Sequence, residues 1–163
     1  MSEQTEDTAA LDAFFSGFAL EDCLAPAANM SRQAQEAKQA KNYNVAWVLL
    51  QDVKALYLKH AQQCRFTTAQ TLALDASVSQ AMADILRLER KHDDALVHIL
   101  YWVGSTSPPT KSQIAKMGAY LRRSSVAYVS HGEINELLSM FRGQPDFLTL
   151  RDAVASWRVR GDA

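Results

Sequence analysis

The stretch Asp75–Gly104, DASVSQAMADILRLERKHDDALVHILYWVG, decides how this chain folds. Val78, Met82 and Ile85 run at helical spacing, and the same line continues through Glu89 and His92 to Leu96, Ile99 and Val103. One long helix would set a carboxylate and an imidazole on a buried stripe, which costs several kcal/mol unless each is hydrogen-bonded or holds a ligand. A turn at Arg90–Asp93 instead leaves both groups at the surface. The first reading leads to a metal site and the second to two helices folded back on each other.

A counterpart 49 residues upstream favours the turn. Setting KNYNVAWVLL beside RKHDDALVHI superposes Lys41 on Arg90, Tyr43 on His92, Ala46 on Ala95, Leu50 on Ile99 and, earlier, Ala34 on Ala83. The shared pattern is a small residue in a first helix, an aromatic near the turn, an Ala in the second helix and a bulky apolar residue four later. It resembles the tetratricopeptide repeat and covers roughly Met30–Val53 and Ser79–Trp102. It departs from that family in its spacing of 49 rather than about 34, in lacking the first-helix Trp and Leu-Gly, and in carrying His92 for the aromatic. The resemblance implies stacked antiparallel helix pairs whose concave face binds a peptide or partner helix. The groove is expected on the helices holding Ala34, Tyr43, Trp47, Ala83 and Trp102. An acidic single domain of this length is also similar to small repeat-type chaperones of secretion systems.

Composition agrees with an all-α domain. The chain has 163 residues, 48% apolar and 21% charged, with six Gly and four Pro. That length buries enough surface for one core without a metal or disulfide staple. A net charge of -1 argues against a whole-protein footprint for nucleic acid, although charge is uneven along the chain. The first 22 residues carry Glu3, Glu6, Asp7, Asp12, Glu21 and Asp22 with no Lys or Arg. No basic region followed by an apolar run opens the chain, and no stretch approaches the roughly 18 apolar residues of a membrane helix. A cytoplasmic protein without membrane contact is the expectation. Cys23 and Cys64 read as buried free thiols.

Read in order, 1–8 is an acidic, disordered tail and 9–158 one helical domain of roughly seven or eight helices. It divides into a hairpin array to about 104, a linker over 105–111 and a C-terminal helical cap over 112–158, with a tail over 159–163. Leu11, Phe14, Phe15, Phe18 and Leu20 predict a first helix that Pro26 ends. Val45, Val48, Leu49, Val53, Leu56, Tyr57 and His60 predict the buried stripe of another. Thr67 or Thr68 caps the helix after it, and Pro108-Pro109 forces the strongest boundary. Val126–Val129 is expected to end the helix begun near Ile114, Gly143 to cap the one after it, and Leu148, Leu150, Val154 and Trp157 to pack a final helix.

Chemical motifs are sparse. Glu89-x-x-His92 has the spacing of ferritin-like di-iron helices, but no other Glu has a His three residues on, which predicts solvated turn residues instead. His60 with Cys64 offers two ligands and no second pair. Lys111, Lys116, Arg122 and Arg123, within Thr110–Val126, resemble a helix-turn-helix, the alternative reading as a DNA-binding regulator. Tyr101 and Trp102, adjacent on one helix, cannot both face one core, so one is a candidate contact residue. The leading expectation is a non-catalytic protein-binding module or homo-oligomer, with no metal and no cofactor. Its candidate partner-binding residues are Tyr43, Trp47, Ala83, Tyr101 and Trp102.

Overall fold

The computed structural model describes residues 20–163, which form seven helices and no strand. They are α1 (Leu24–Gln39), α2 (Tyr43–Gln63), α3 (Thr68–Leu88), α4 (His92–Gly104), α5 (Lys111–Arg123), α6 (His131–Met140) and α7 (Phe147–Asp162). The tail over 1–8 and the expected helix from Leu11 lie outside the described residues, except Leu20, which is exposed and not helical. α1 packs antiparallel to α2 and α3 to α4, and α2 against α3 joins the two hairpins. The C-terminal helices α5, α6 and α7 then close around α4.

The chain does turn between α3 and α4. Arg90 has φ 62°, its N–H bonds the Arg87 carbonyl at 3.0 Å, and the Lys91 N–H reaches the Leu86 carbonyl at 2.8 Å. This paired closure of a helix by a left-handed residue is a Schellman motif. Forty-nine residues earlier the same geometry recurs: Lys41 has φ 61°, its N–H bonds Lys38 at 3.0 Å, and the Asn42 N–H bonds Ala37 at 2.8 Å. The α2–α3 junction uses it too, with Arg65 at φ 54°.

The repeat extends from the turns into the packing. Ala27, Ala34 and Ala46 are buried in the first hairpin, and Ala76, Ala83 and Ala95, each 49 residues on, are buried in the second. Small residues let paired helices approach closely, and each trio lies in its own apolar cluster. α3 serves both clusters: Val78, Met82 and Ile85 pack toward the first hairpin, whereas Ala76, Ala83 and Leu86 pack toward α4. α4 is enclosed most completely, with Leu96, Ile99 and Leu100 wholly buried.

Helix ends follow local chemistry. Thr67 and Thr110 each accept from the backbone three residues on, while Gln70 and Gln113 reach back, making two capping boxes. Ser130 and Asp146 cap α6 and α7, and Gly143, at φ 81°, closes the stretch after α6.

Several sequence expectations are corrected. Pro26 lies in the first turn of α1 rather than ending a helix, where its missing N–H costs nothing. Asp22 accepts from the Leu24 and Ala25 amides at the same end. Val45 and Val48 are more than half exposed, and the buried line of α2 is Ala46, Leu50, Val53 and Ala61. Residues 125–128 form turns, not a helix end. Leu148 is exposed, and α7 continues to Asp162, through what reads as a tail. Of the two free thiols only Cys23 is buried.

A left-handed C′ position prefers glycine, so Arg90→Gly is expected to raise stability by about 0.5–1 kcal/mol in urea unfolding. Arg90→Val is expected to lower it by about 1–3 kcal/mol. Were residues 68–104 one helix, the glycine variant would lose about 1 kcal/mol instead.

Candidate partner-binding groove

The first helices of the two hairpins, α1 and α3, stand side by side over α2 and leave a groove with a cavity of about 150 Å³. Leu50, Tyr57, Val78 and Ile85 supply its apolar floor. Its walls are short: Ser31, Ala34 and Gln35 on α1 face Ser77 and Ala81 on α3. Helical spacing builds both walls, since residues three and four apart share a face. Short walls over an apolar floor let another helix or an extended chain come close.

One end of the groove is cationic. Lys38 Nζ lies 2.8 Å from Asp84 Oδ2, and Arg87 binds Asp84 Oδ1 through Nη2 at 2.6 Å and Nε at 3.0 Å. Burial alone would raise the Asp84 pKa, but hydrogen bonds from Lys38 and Arg87 hold it below its ordinary value of 3.8. Lys116 of α5 stands beside this group without an ion pair. Burial depresses its pKa, Asp84 opposes the shift, and the charges of Arg87 and Lys38 add to it. Two cations thus share one carboxylate, with a third close by. Tyr120, only 4% exposed, sits at the same end with its hydroxyl buried beside Arg87. Burial and then Asp84 raise the Tyr120 pKa, with Arg87 opposing.

A second polar group pins the hairpins together. Lys54 of α2 reaches Asp75 Oδ2 at 3.2 Å and the buried Ser79 hydroxyl at 2.9 Å, and Tyr101 donates to Asp75 Oδ2 at 2.8 Å. Burial first, then the Asp75 hydrogen bond and charge, push the Tyr101 phenol up. Behind it, His98 packs edge-on to Trp47 at 5.6 Å and against Phe147 at 4.8 Å. Burial, with the Lys54 charge, lowers the His98 pKa to about 4, against a smaller opposing effect of Asp75, so the ring is neutral near pH 7. It acts as a packing residue.

The expected site residues are placed as follows. Ala83 and Tyr101 are enclosed and offer no surface. Tyr43 and Trp47 are half-buried against the first cluster. Trp102 is half-buried, with Lys116 Nζ 5.9 Å from its ring centre. None of these five lines the groove, and of the helices expected to form it, α1 and α3 supply the walls.

Lys111, Arg122 and Arg123 are exposed on α5, but that helix runs unbroken from Lys111 to Arg123, so the tight turn of a helix-turn-helix over 110–126 is not formed. Lys111 and the two arginines stand at opposite ends of it, about 17 Å apart along the axis. Glu89 pairs with Lys91 at 2.8 Å. His92 lies at the start of α4, in a polar cleft where Asp93 accepts from Ser125 and Arg158. Cys64 Sγ is 3.8 Å from the His60 ring nitrogens, and no cluster of three or more metal-ligating side chains occurs among the described residues. No described helix is long and apolar enough to cross a membrane.

Sequence reasoning passed over Lys38, Asp84, Arg87 and Tyr120. A signal was present, because the 49-residue offset that superposes Ala34 on Ala83 also superposes Lys38 on Arg87. Both cations converge on the same carboxylate. Compared with protein-family models, curated proteins and solved structures, the chain matches none.

Asp84→Asn is expected to cost about 1–2 kcal/mol at pH 7, less than for a fully buried pair because the carboxylate is a quarter exposed and solvent screens it. A folded-state pKa below 3.8 means that this contribution is present above that value and is lost as pH falls through the folded pKa. Urea unfolding of both proteins at pH 7 and near pH 3 checks this. Their difference is expected to narrow at the lower pH.

Proposed function

We propose that this protein is a non-catalytic protein-interaction module that takes a peptide or helix of a partner in the groove between α1 and α3. The carrying observation is the groove itself, with its apolar floor, short walls and one cationic end. An apolar floor supplies affinity through burial, and charge at one end fixes direction and speeds encounter. The resemblance to stacked tetratricopeptide hairpins supports the same reading, since such arrays bind partners on a concave face built from successive repeats. An adaptor or small-chaperone role in the cytoplasm is the setting we propose.

Other surfaces have less to recommend them. The basic residues of α5 are spread along its length, from Lys111 through Lys116 to Arg122 and Arg123, and at the turn Glu89, 23% exposed, is already paired with Lys91.

Ala81 is an exposed wall residue, so Ala81→Glu is expected to change stability by no more than about 0.5 kcal/mol while blocking the groove. Val48→Glu, on the exposed face of α2, serves as the control. In affinity capture from cell extract followed by mass spectrometry, partners held by the wild type are expected to fall at least tenfold with Ala81→Glu and to persist with Val48→Glu. Retention by the Ala81 variant, or loss with the Val48 variant, contradicts the reading.

A further inference from the structure

We propose that a pocket at the seam between the hairpin array and the C-terminal helices is a binding site for a free α-amino acid with an aromatic side chain. It is separate from the groove between α1 and α3 and stands whether or not that groove takes a partner.

Four helices meet there around a cavity of about 220 Å³. Leu86 of α3 and Val97 of α4 are buried and form its apolar floor. Trp47 of α2, His98 of α4 and Phe147 of α7 stand around it, each partly exposed. Trp47 meets His98 at 83° with ring centres 5.6 Å apart, and His98 meets Phe147 at 60° and 4.8 Å. Rings at such angles make walls that meet in corners. They suit a further ring, since aromatic pairs favour edge-to-face and offset contacts with centroids about 4.5–7 Å apart. Size agrees: an apolar cavity of about 150 Å³ holds benzene, so this one holds a phenyl group and the first carbon of its chain. His98 is neutral near pH 7, so none of the three walls carries a charge.

The charges are at the rim. Asp94 lies one turn before His98 on α4, and Arg151 one turn after Phe147 on α7, so helical spacing brings both to the same pocket from different helices. Both are exposed, which sets them at its mouth. Arg151 has only a long contact, 3.5 Å, with its chain neighbour Asp152, and Lys91, whose charge reaches Asp94, is itself paired with Glu89. Among the described residues no ion pair joins Asp94 to Arg151. A carboxylate and a guanidinium thus stand over an aromatic pocket without neutralising each other. An ammonium at Asp94 and a carboxylate at Arg151, with a ring between the three walls, meets all of these features together. A free amino acid carries both groups on one carbon, whereas a residue within a chain has lost at least one of them.

Titration of the isotope-labelled, full-length protein with phenylalanine tests this, read at the Trp47 indole resonance, which Trp47→Phe identifies. The resonance is expected to shift saturably, with a dissociation constant of about 1 mM or tighter. Phenethylamine, which lacks the carboxylate, phenylpropionate, which lacks the ammonium, and alanine, which lacks the ring, are each expected to bind at least tenfold more weakly. Asp94→Asn and Arg151→Gln are each expected to weaken phenylalanine at least fivefold while leaving the unfolding temperature in place, since both side chains are exposed. Absence of a saturable shift, a one-charge analogue or alanine binding as tightly as phenylalanine, or phenylalanine binding indifferent to either substitution would each overturn the proposal.

Discussion

The fold turns on a single residue, Arg90, held in the left-handed region at φ 62°. That conformation costs a non-glycine residue roughly 1–2 kcal/mol. Returning α4 onto α3 buries Leu96, Ile99, Leu100 and Val103, each worth roughly 1.5–3 kcal/mol when taken out of water. Burial wins by several-fold. Two backbone hydrogen bonds of the Schellman closure also satisfy carbonyls that a helix end would otherwise leave bare. With α4 placed, α5, α6 and α7 have a surface to close upon, and with α3 placed, α1 has a neighbour across the groove.

Use of the same turn at Lys41 makes the groove a product of repetition. Equivalent alanines close each hairpin, so α1 and α3 present equivalent faces. Lys38 and Arg87 are themselves repeat equivalents that lean on Asp84 from two helices. This arrangement ties the hairpins together and leaves positive charge over, because Lys116 adds a third cation without adding an acid. On the proposed reading of the groove, the side chains that tie the hairpins together there are also those that meet a partner. Elsewhere, Lys54, Asp75, Ser79 and Tyr101 form a part-buried network that joins α2, α3 and α4.

Much of the architecture was legible because helix punctuation is local, the Thr caps and the proline boundary being readable from neighbouring residues, and because the turn after Leu88 has a counterpart 49 residues upstream. What misled was side-chain size. Val45 and Val48 suggested a buried stripe, whereas the close helix contact is made by Ala46, whose value lies in being small. Pro26 suggested an end because a proline inside a helix breaks it, yet in a first turn it is neutral. Trp47, Tyr101 and Trp102 drew attention as aromatic contacts, and most of their surface packs inside the domain. The groove was less legible than the core. Its walls are Ser, Ala and Gln, residue types that signal nothing in sequence until two helices set them face to face.

The central claim is that α3 and α4 are two helices folded back through Arg90. Spin labels at Ser77 and Ser105, read by pulsed dipolar spectroscopy, test it most directly. Packed helices have axes about 8–10 Å apart, so the account predicts a single short distance, well under half the span of the extended alternative. A continuous helix would hold the two positions about 42 Å apart. A distance near that value would contradict the fold and the groove together.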